Sequence, residues 1–266
     1  MQPAELLIIA GSAAGTVLIS NPPKVLKGIV RGLVGVFTGS PYNAKCYLDT
    51  LLFLYAFFQD SRKNGLASLE AQLDEPAKSE LFKKHPVIMK NPTALQFFCD
   101  TFRTIATGGV GHHDLDQIME ADLEVLDASA RQPAAALTTM SDSLPGLGIV
   151  AAVLGIVITM GALGGPPEEI GHKVGAALVG TFLGVLLCYG FVGPIALNIT
   201  KQAEAQAEYF QCIRLASLAF VKGSPPILSV EAARRVIPHD LRPTFLEMDK
   251  ACRKRGAEAP TVGAAA

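Results

Sequence analysis

Residues 145–164, PGLGIVAAVLGIVITMGALG, contain no Asp, Glu, Lys, Arg or His, and neither do residues 174–199, VGAALVGTFLGVLLCYGFVGPIALNI. A helix of about twenty apolar residues crosses the roughly 30 Å hydrocarbon core of a bilayer. The segment PPEEIGHK (166–173) joins the two runs as a turn. Leu144–Thr200 therefore reads as a transmembrane hairpin around which the chain is organised. The competing reading, two buried core helices of a water-soluble protein, is disfavoured because both runs reach spanning length without a charge. The same absence limits the chemistry. A proton path needs an ionisable group within the membrane, and this hairpin has none. The chain can wall such a path, but the titrating carboxylate must come from another chain.

Other absences exclude whole classes. The net charge is −1 over 266 residues, which argues against a nucleic-acid binder. The five cysteines, at 46, 99, 188, 212 and 252, form no C-x-x-C pair and fit neither a disulfide framework nor a zinc site. There is no Walker A loop, dinucleotide fingerprint, H-E-x-x-H or G-x-S-x-G, so an enzyme is not expected and no cofactor is implied. His112, His113, Asp114 and Asp116 invite a metal assignment. No second cluster completes a ligand set, and a capped helix start explains them better.

Small residues dominate what is present in the hairpin. Gly148, Ala152, Gly155 and Thr159 share one helix face, as do Ala177, Thr181, Gly184 and Cys188, and Gly180 with Gly184 forms a G-x-x-x-G pair. Close helix packing is one reading. A narrow path lined in part by hydroxyls is the other. A third, weaker span is expected at the start. Leu6–Ile19 is uncharged, its flank Glu5 is acidic, and Lys24, Lys27 and Arg31 follow it, which is the reverse of a signal peptide. Of 23 Lys and Arg, twelve lie between 22 and 140, ten between 200 and 266, and only Lys173 falls in the hairpin turn. Positive loops stay on the cytoplasmic side. This gives an all-α membrane protein with five segments: a membrane helix at 1–21, a cytoplasmic helical domain at 22–140, the hairpin at 141–200, cytoplasmic helices at 201–256, and a disordered tail at 257–266. An outside N-terminus directly on a span leads to the expectation of one more span upstream.

In the cytoplasmic region, Ala44–Phe58 has helical apolar spacing, Asn64-Gly65 marks a break before Leu66–Leu73, and Asn91-Pro92 opens a helix over Thr93–Thr107. Leu115–Ala130 leads back to the membrane as an acidic helix, and Lys201–Val221 extends the last span. Lys222–Pro226 stops that extension, and a short basic helix follows at Ser229–Val236. By themselves, Arg62, Lys63 and Glu70 are an ordinary solvated surface.

Several motifs in order resemble the MotA family of flagellar motor stator subunits, within the superfamily that includes ExbB and TolQ. They are QPAELLIIAG (2–11), SR-x-x-G-x-x-SLE (61–70), DSLPGLGIVAAVLGIV (142–157), VGTFLGVLLCYGFVGPIA (179–196) and PPI-x-x-x-EAARR (225–235). ExbB and TolQ are similar only in the hairpin, which leaves an ExbB- or TolQ-like energiser of an envelope complex as the alternative. The resemblance implies an inner-membrane protein of four membrane helices, of which this chain holds the last three. It also implies a ring of five copies around two copies of MotB, whose membrane Asp binds the proton, and a cytoplasmic domain that pushes the rotor protein FliG. Arg62 and Glu70 match the family's rotor-facing charges, Pro145 and Pro194 its coupling prolines, and Thr181 its pore threonine. Sodium-driven relatives carry a threonine where this chain has Ala152, so the resemblance implies a proton-driven stator.

Overall fold

The computed structural model describes residues 3–65, 70–161 and 167–257, and every regular element among them is a helix. In order these are α1 (Pro3–Ser20), α2 (Pro23–Thr38), α3 (Ala44–Asn64), α4 (Glu70–Asp74), α5 (Glu80–Lys84), α6 (Pro86–Met89), α7 (Pro92–Ala106) and α8 (His112–Met160). They are followed by α9 (Pro167–Leu187), a π-helical turn (Cys188–Val192), α10 (Gly193–Val221), α11 (Pro226–Arg234) and α12 (Phe245–Ala257). Two compact units contain them, divided after Ser40, after Asp127 and after Ala203. The later two divisions fall inside α8 and α10.

The first unit holds α1, α2, α8 from Ala128, α9, the π turn and the start of α10. Its helices meet through small residues. A Cβ on Gly184 would lie 2.6 Å from the Leu144 carbonyl oxygen and 2.9 Å from Gly148 Cα, and one on Gly148 would lie 2.9 Å from the Gly180 carbonyl oxygen. Backbone touches backbone there, which only glycine permits. Large apolar side chains point the other way: Ile149, Val153, Val157 and Phe182 are each more than half exposed. Only 28% of the apolar window of α8 is buried within the fold, and 17% of that running from α9 into α10. Core helices of a soluble fold would show the reverse, small residues outside and large ones inside. Helix α1 packs on α9, with Ile9 and Ala13 fully buried alongside Leu144, Ala151 and Cys188.

Residues 22–40 differ from expectation. Their sequence was assigned to the cytoplasmic domain, whereas α2 belongs to the same unit as the hairpin. Val25 and Ile29 pack with Ala134, Leu137, Ala196 and Ile199. The expected turn at 166–173 also shrinks, because α9 is helical from Pro167. A proline at the first position with Glu168 directly after it favours a helix start. Residues 1–2, 66–69 and 162–166 of the expected segments, and the tail beyond Ala257, lie outside the described residues.

The second unit is built on rings. Phe53, Phe57, Phe98 and Phe102 meet edge-on or tilted, with centroid distances of 4.7 Å for Phe57–Phe102 and 5.0 Å for Phe53–Phe98, in the geometry favoured by the ring quadrupole. Phe58 stacks on Phe220 at 4.4 Å. The Thr50 hydroxyl shares a 2.9 Å hydrogen bond with the buried Tyr209 hydroxyl. Arg214, 8% exposed, is paired with Asp116 through Nε at 3.0 Å and reaches Glu120 at 3.2 Å. Asp116 and Glu120 stay partly in solvent, which screens the pairs. Helix starts are capped as the sequence allows: Asn43 accepts from the Cys46 N–H, Asn91 from the Ala94 N–H, and Thr244 with Glu247 forms a reciprocal capping box. Glu231 is held below the usual carboxylate range by its hydrogen bond from Arg234, reinforced by Arg235. Burial pushes the Cys99 thiol up to about 11 and the Cys212 thiol up to about 12, so both are structural rather than reactive groups.

Gly184→Ala should lower stability by about 1–3 kcal/mol, because the methyl group meets backbone that cannot give way. Gly146→Ala, where a Cβ has nothing within 4 Å, should leave stability unchanged. Thermal unfolding of the two variants in one detergent compares them directly, and equal midpoints would contradict the backbone contact.

Candidate ion-path and coupling site

The crossing of α8 on α9 places Ala152 and Thr181 differently. Ala152 is 8% exposed, and its backbone nitrogen lies 3.4 Å from where a Cβ on Gly180 would be. It is turned into the helix contact. Thr181 sits beside the same crossing, its Cα 3.4 Å from a Cβ built on Gly148, and stays half-exposed. Its hydroxyl makes no hydrogen bond to another described residue. Thr159, on the stripe of α8, is 4% exposed and donates to the Gly155 carbonyl at 2.8 Å. Of the two small-residue stripes, most members are used for packing, and Thr181 is the hydroxyl left available.

The two prolines are brought together through a residue that sequence reasoning missed. Pro145 lies inside α8 and has no N–H, so the Ser141 carbonyl four residues earlier loses its helical donor. Pro194 has the same effect near the start of α10, and the chain adapts by widening into the π turn Cys188–Val192. The Gly193 N–H bonds the Cys188 carbonyl across that turn. The Ser141 hydroxyl donates to that same carbonyl at 3.1 Å and approaches Cys188 Sγ at 3.4 Å, with both residues buried. A Cβ on Gly193 would meet the Cys188 oxygen at 2.9 Å and Ser141 Oγ at 3.3 Å, so this corner accepts only glycine. One serine thus joins the two proline-interrupted stretches. The signals were present in DSLP (142–145 with Ser141 just before) and in Gly193-Pro194, but the pairing across 47 residues was not. A third helix-internal proline, Pro133, was also missed; it packs against Gly28 of α2.

Arg62 and Glu70 belong to the second unit. Arg62, at the last turn of α3, donates from Nη2 to the Gly223 carbonyl at 2.7 Å. Gly223 has φ +91 in the loop after α10, a conformation suited to glycine. Glu70 is exposed at the start of α4. No hydrogen bond or ion pair joins it to Arg62. Asp116, one of the residues that invited a metal, is occupied by Arg214 instead.

The family described as Motility protein A N-terminal matches residues 1–65, and the MotA/TolQ/ExbB proton channel family matches residues 90–212. Motility protein A of Escherichia coli K12 is 36% identical over 252 residues, which cover 95% of this chain and 85% of that protein. The chain belongs to the motility protein A family. Chemotaxis protein LafT of Vibrio parahaemolyticus is 34% identical over 94% of this chain and 87% of its own length. Among solved structures, the fold is similar to that of C. jejuni MotAB, with a TM-score of 0.71 at 20% identity, covering 90% of this chain and 86% of that one. The flagellar MotAB stator complex from Bacillus subtilis gives a TM-score of 0.62. Membership of the motility protein A family carries the function of a flagellar stator subunit, and the ExbB or TolQ alternative is not favoured.

Ser141→Ala should cost about 1 kcal/mol, the net worth of one hydrogen bond, since the Cys188 carbonyl keeps its bond from Gly193. The amide of Gly193 should then exchange faster with solvent deuterium than in the parent. Unchanged exchange there would mean that Ser141 does not brace the turn.

Proposed function

We propose that this member of the motility protein A family assembles with MotB in the inner membrane and converts proton flow into torque on the rotor protein FliG. The relationship over 95% of the chain carries this reading. The hairpin supports it physically, because it lacks any ionisable residue and so depends on a partner's carboxylate. The two long apolar helices and the shorter Leu6–Ser20 serve as three spans, with the second unit on the cytoplasmic side where the basic residues lie. Five copies form the ring, as the family resemblance implies.

One proton crossing 100 mV releases about 2.3 kcal/mol. Thr181 offers its free hydroxyl to the path and orients water or the partner's Asp. Ala152 stands behind it as a small residue that permits the close crossing. Sodium needs several oxygen ligands to replace its hydration shell, and a methyl at 152 supplies none. Pro145 and Pro194 are the hinges through which a change at the carboxylate alters the helix direction. Ser141 holds the two together at the Cys188 carbonyl, so that they move as one. The exposed charges Arg62 and Glu70 steer the rotor over a Debye length of about 8 Å without requiring tight binding.

Thr181→Val keeps the side-chain shape and removes the hydroxyl. Torque should fall while the protein still assembles in the membrane. Swimming speed at fixed pH should be unchanged when sodium is replaced by potassium and should collapse with a protonophore. Speed that follows sodium and ignores the protonophore would overturn the proton assignment.

The rotor contact is tested by charge. Arg62→Glu or Glu70→Lys should impair swimming with normal membrane levels, and a compensating reversal on FliG should restore part of it. Arg62→Gln loses the bond to Gly223 without reversing the charge and should be milder. If Arg62→Gln is as damaging as Arg62→Glu, the residue is a structural tie and not a rotor contact.

A further inference from the structure

Helix α2 carries three distinct faces at helical spacing. Gly28, Gly32 and Gly35 form a ridge. A Cβ on Gly28 would lie 2.6 Å from Pro133 Cγ and one on Gly32 2.8 Å from Ile199 Cδ1. The backbone of α2 therefore lies directly on α8 and α10, which fixes the roll of the helix about its own axis. The side away from that ridge is apolar and uncovered: Val30 is 63%, Val34 57% and Phe37 89% exposed. Along one edge of this apolar side run Lys24, Lys27 and Arg31, all exposed and spread over about 10 Å of helix. None of the three forms an ion pair with another described residue. The sequence from 22 to 40 contains no Asp or Glu.

Water suits the cations and not the apolar face, while the hydrocarbon interior suits the apolar face and not the cations. The boundary between acyl chains and anionic headgroups suits both. Continuity leads to the same place, since only Asn21 and Pro22 separate α2 from the apolar helix α1. We propose that α2 is an in-plane membrane helix that binds anionic phospholipid headgroups through Lys24, Lys27 and Arg31. Val30, Val34 and Phe37 enter the acyl layer. This rests on the membrane-spanning reading of the hairpin. Because the glycine ridge prevents rolling, the three cations are held at one level, and α2 anchors the proline-bearing helices it lies on to the membrane surface. Each cation near an anionic surface strengthens binding by about fivefold, so the three together favour anionic over neutral lipid by on the order of a hundredfold at most.

The chain has no tryptophan, so Phe37→Trp gives a reporter on α2, and Phe182→Trp, at a position 63% exposed on α9, gives one on the hairpin. Each full-length variant, with any co-purified partner, is reconstituted in vesicles of phosphatidylcholine and phosphatidylglycerol in which one lipid or the other is brominated. The parent chain supplies the background. At Phe37→Trp, brominated phosphatidylglycerol should quench at least fivefold more effectively than brominated phosphatidylcholine at equal mole fraction. The preference should fall to near unity when Lys24→Gln, Lys27→Gln and Arg31→Gln are added. It should also fall in the unmodified basic background when salt is raised to about 1 M, where the screening length is about 3 Å; this arm does not depend on the triple variant folding. Equal quenching by both lipids would overturn headgroup binding, and a preference that survives both salt and substitution would overturn the assignment to these residues. Quenching at Phe182→Trp but not at Phe37→Trp would reject the in-plane helix and leave the spanning hairpin intact. No quenching at either position would reject the hairpin as well.

Discussion

Backbone contact between α8 and α9 at Gly148, Gly180 and Gly184 is the constraint on which the first unit depends. Apolar side chains gain nothing from meeting each other in lipid, so association there rests on packing and on hydrogen bonds. Without a Cβ at these positions the helices approach until carbonyl oxygen meets Cα. That approach turns the large residues outward, buries Ala152, and leaves Thr181 at the margin with its hydroxyl unspent. A side chain at Gly184 would separate the helices and change all three together.

The same closeness allows Ser141 to reach the Cys188 carbonyl. A proline in a helix leaves one carbonyl without its donor and bends the axis. Two such interruptions on neighbouring helices would ordinarily bend independently. Here the π turn before Pro194 and the break at Pro145 share a single oxygen, bonded by a hydroxyl from one side and the Gly193 N–H from the other. A buried hydrogen-bonded group of this kind has few alternative partners, so the junction favours a small number of defined arrangements over gradual deformation.

The second unit is held together by different physics. Its interior is dominated by phenylalanine rings in edge-on or tilted contact, and the buried Arg214 is matched by Asp116 and Glu120. The charges expected to meet the rotor are at its surface. Arg62 donates to the Gly223 carbonyl, a partner that sequence alone did not suggest, and Glu70 is exposed.

Much of this was legible in the sequence because hydropathy and helix punctuation are local. The uncharged runs at 145–164 and 174–199, the caps at Asn43 and Asn91, the glycine spacing and the motif order all act within a few residues, so the all-helical fold and the family could be read directly. What could not be read depends on which surfaces meet. The helix contacts made by Gly148, Ala152 and Gly155 exist only where α9 lies against them. The Ser141–Cys188 bond joins residues 47 apart, and no local pattern encodes that distance. The grouping of α2 with the hairpin was not legible for the same reason: its glycine ridge has meaning only against Pro133 and Ile199. Composition determined that two runs are long and apolar enough to cross a membrane and that neither carries an ionisable group. Tertiary structure decided which of its small and polar residues are spent on packing and which remain free to act, because that depends on how closely two backbones approach.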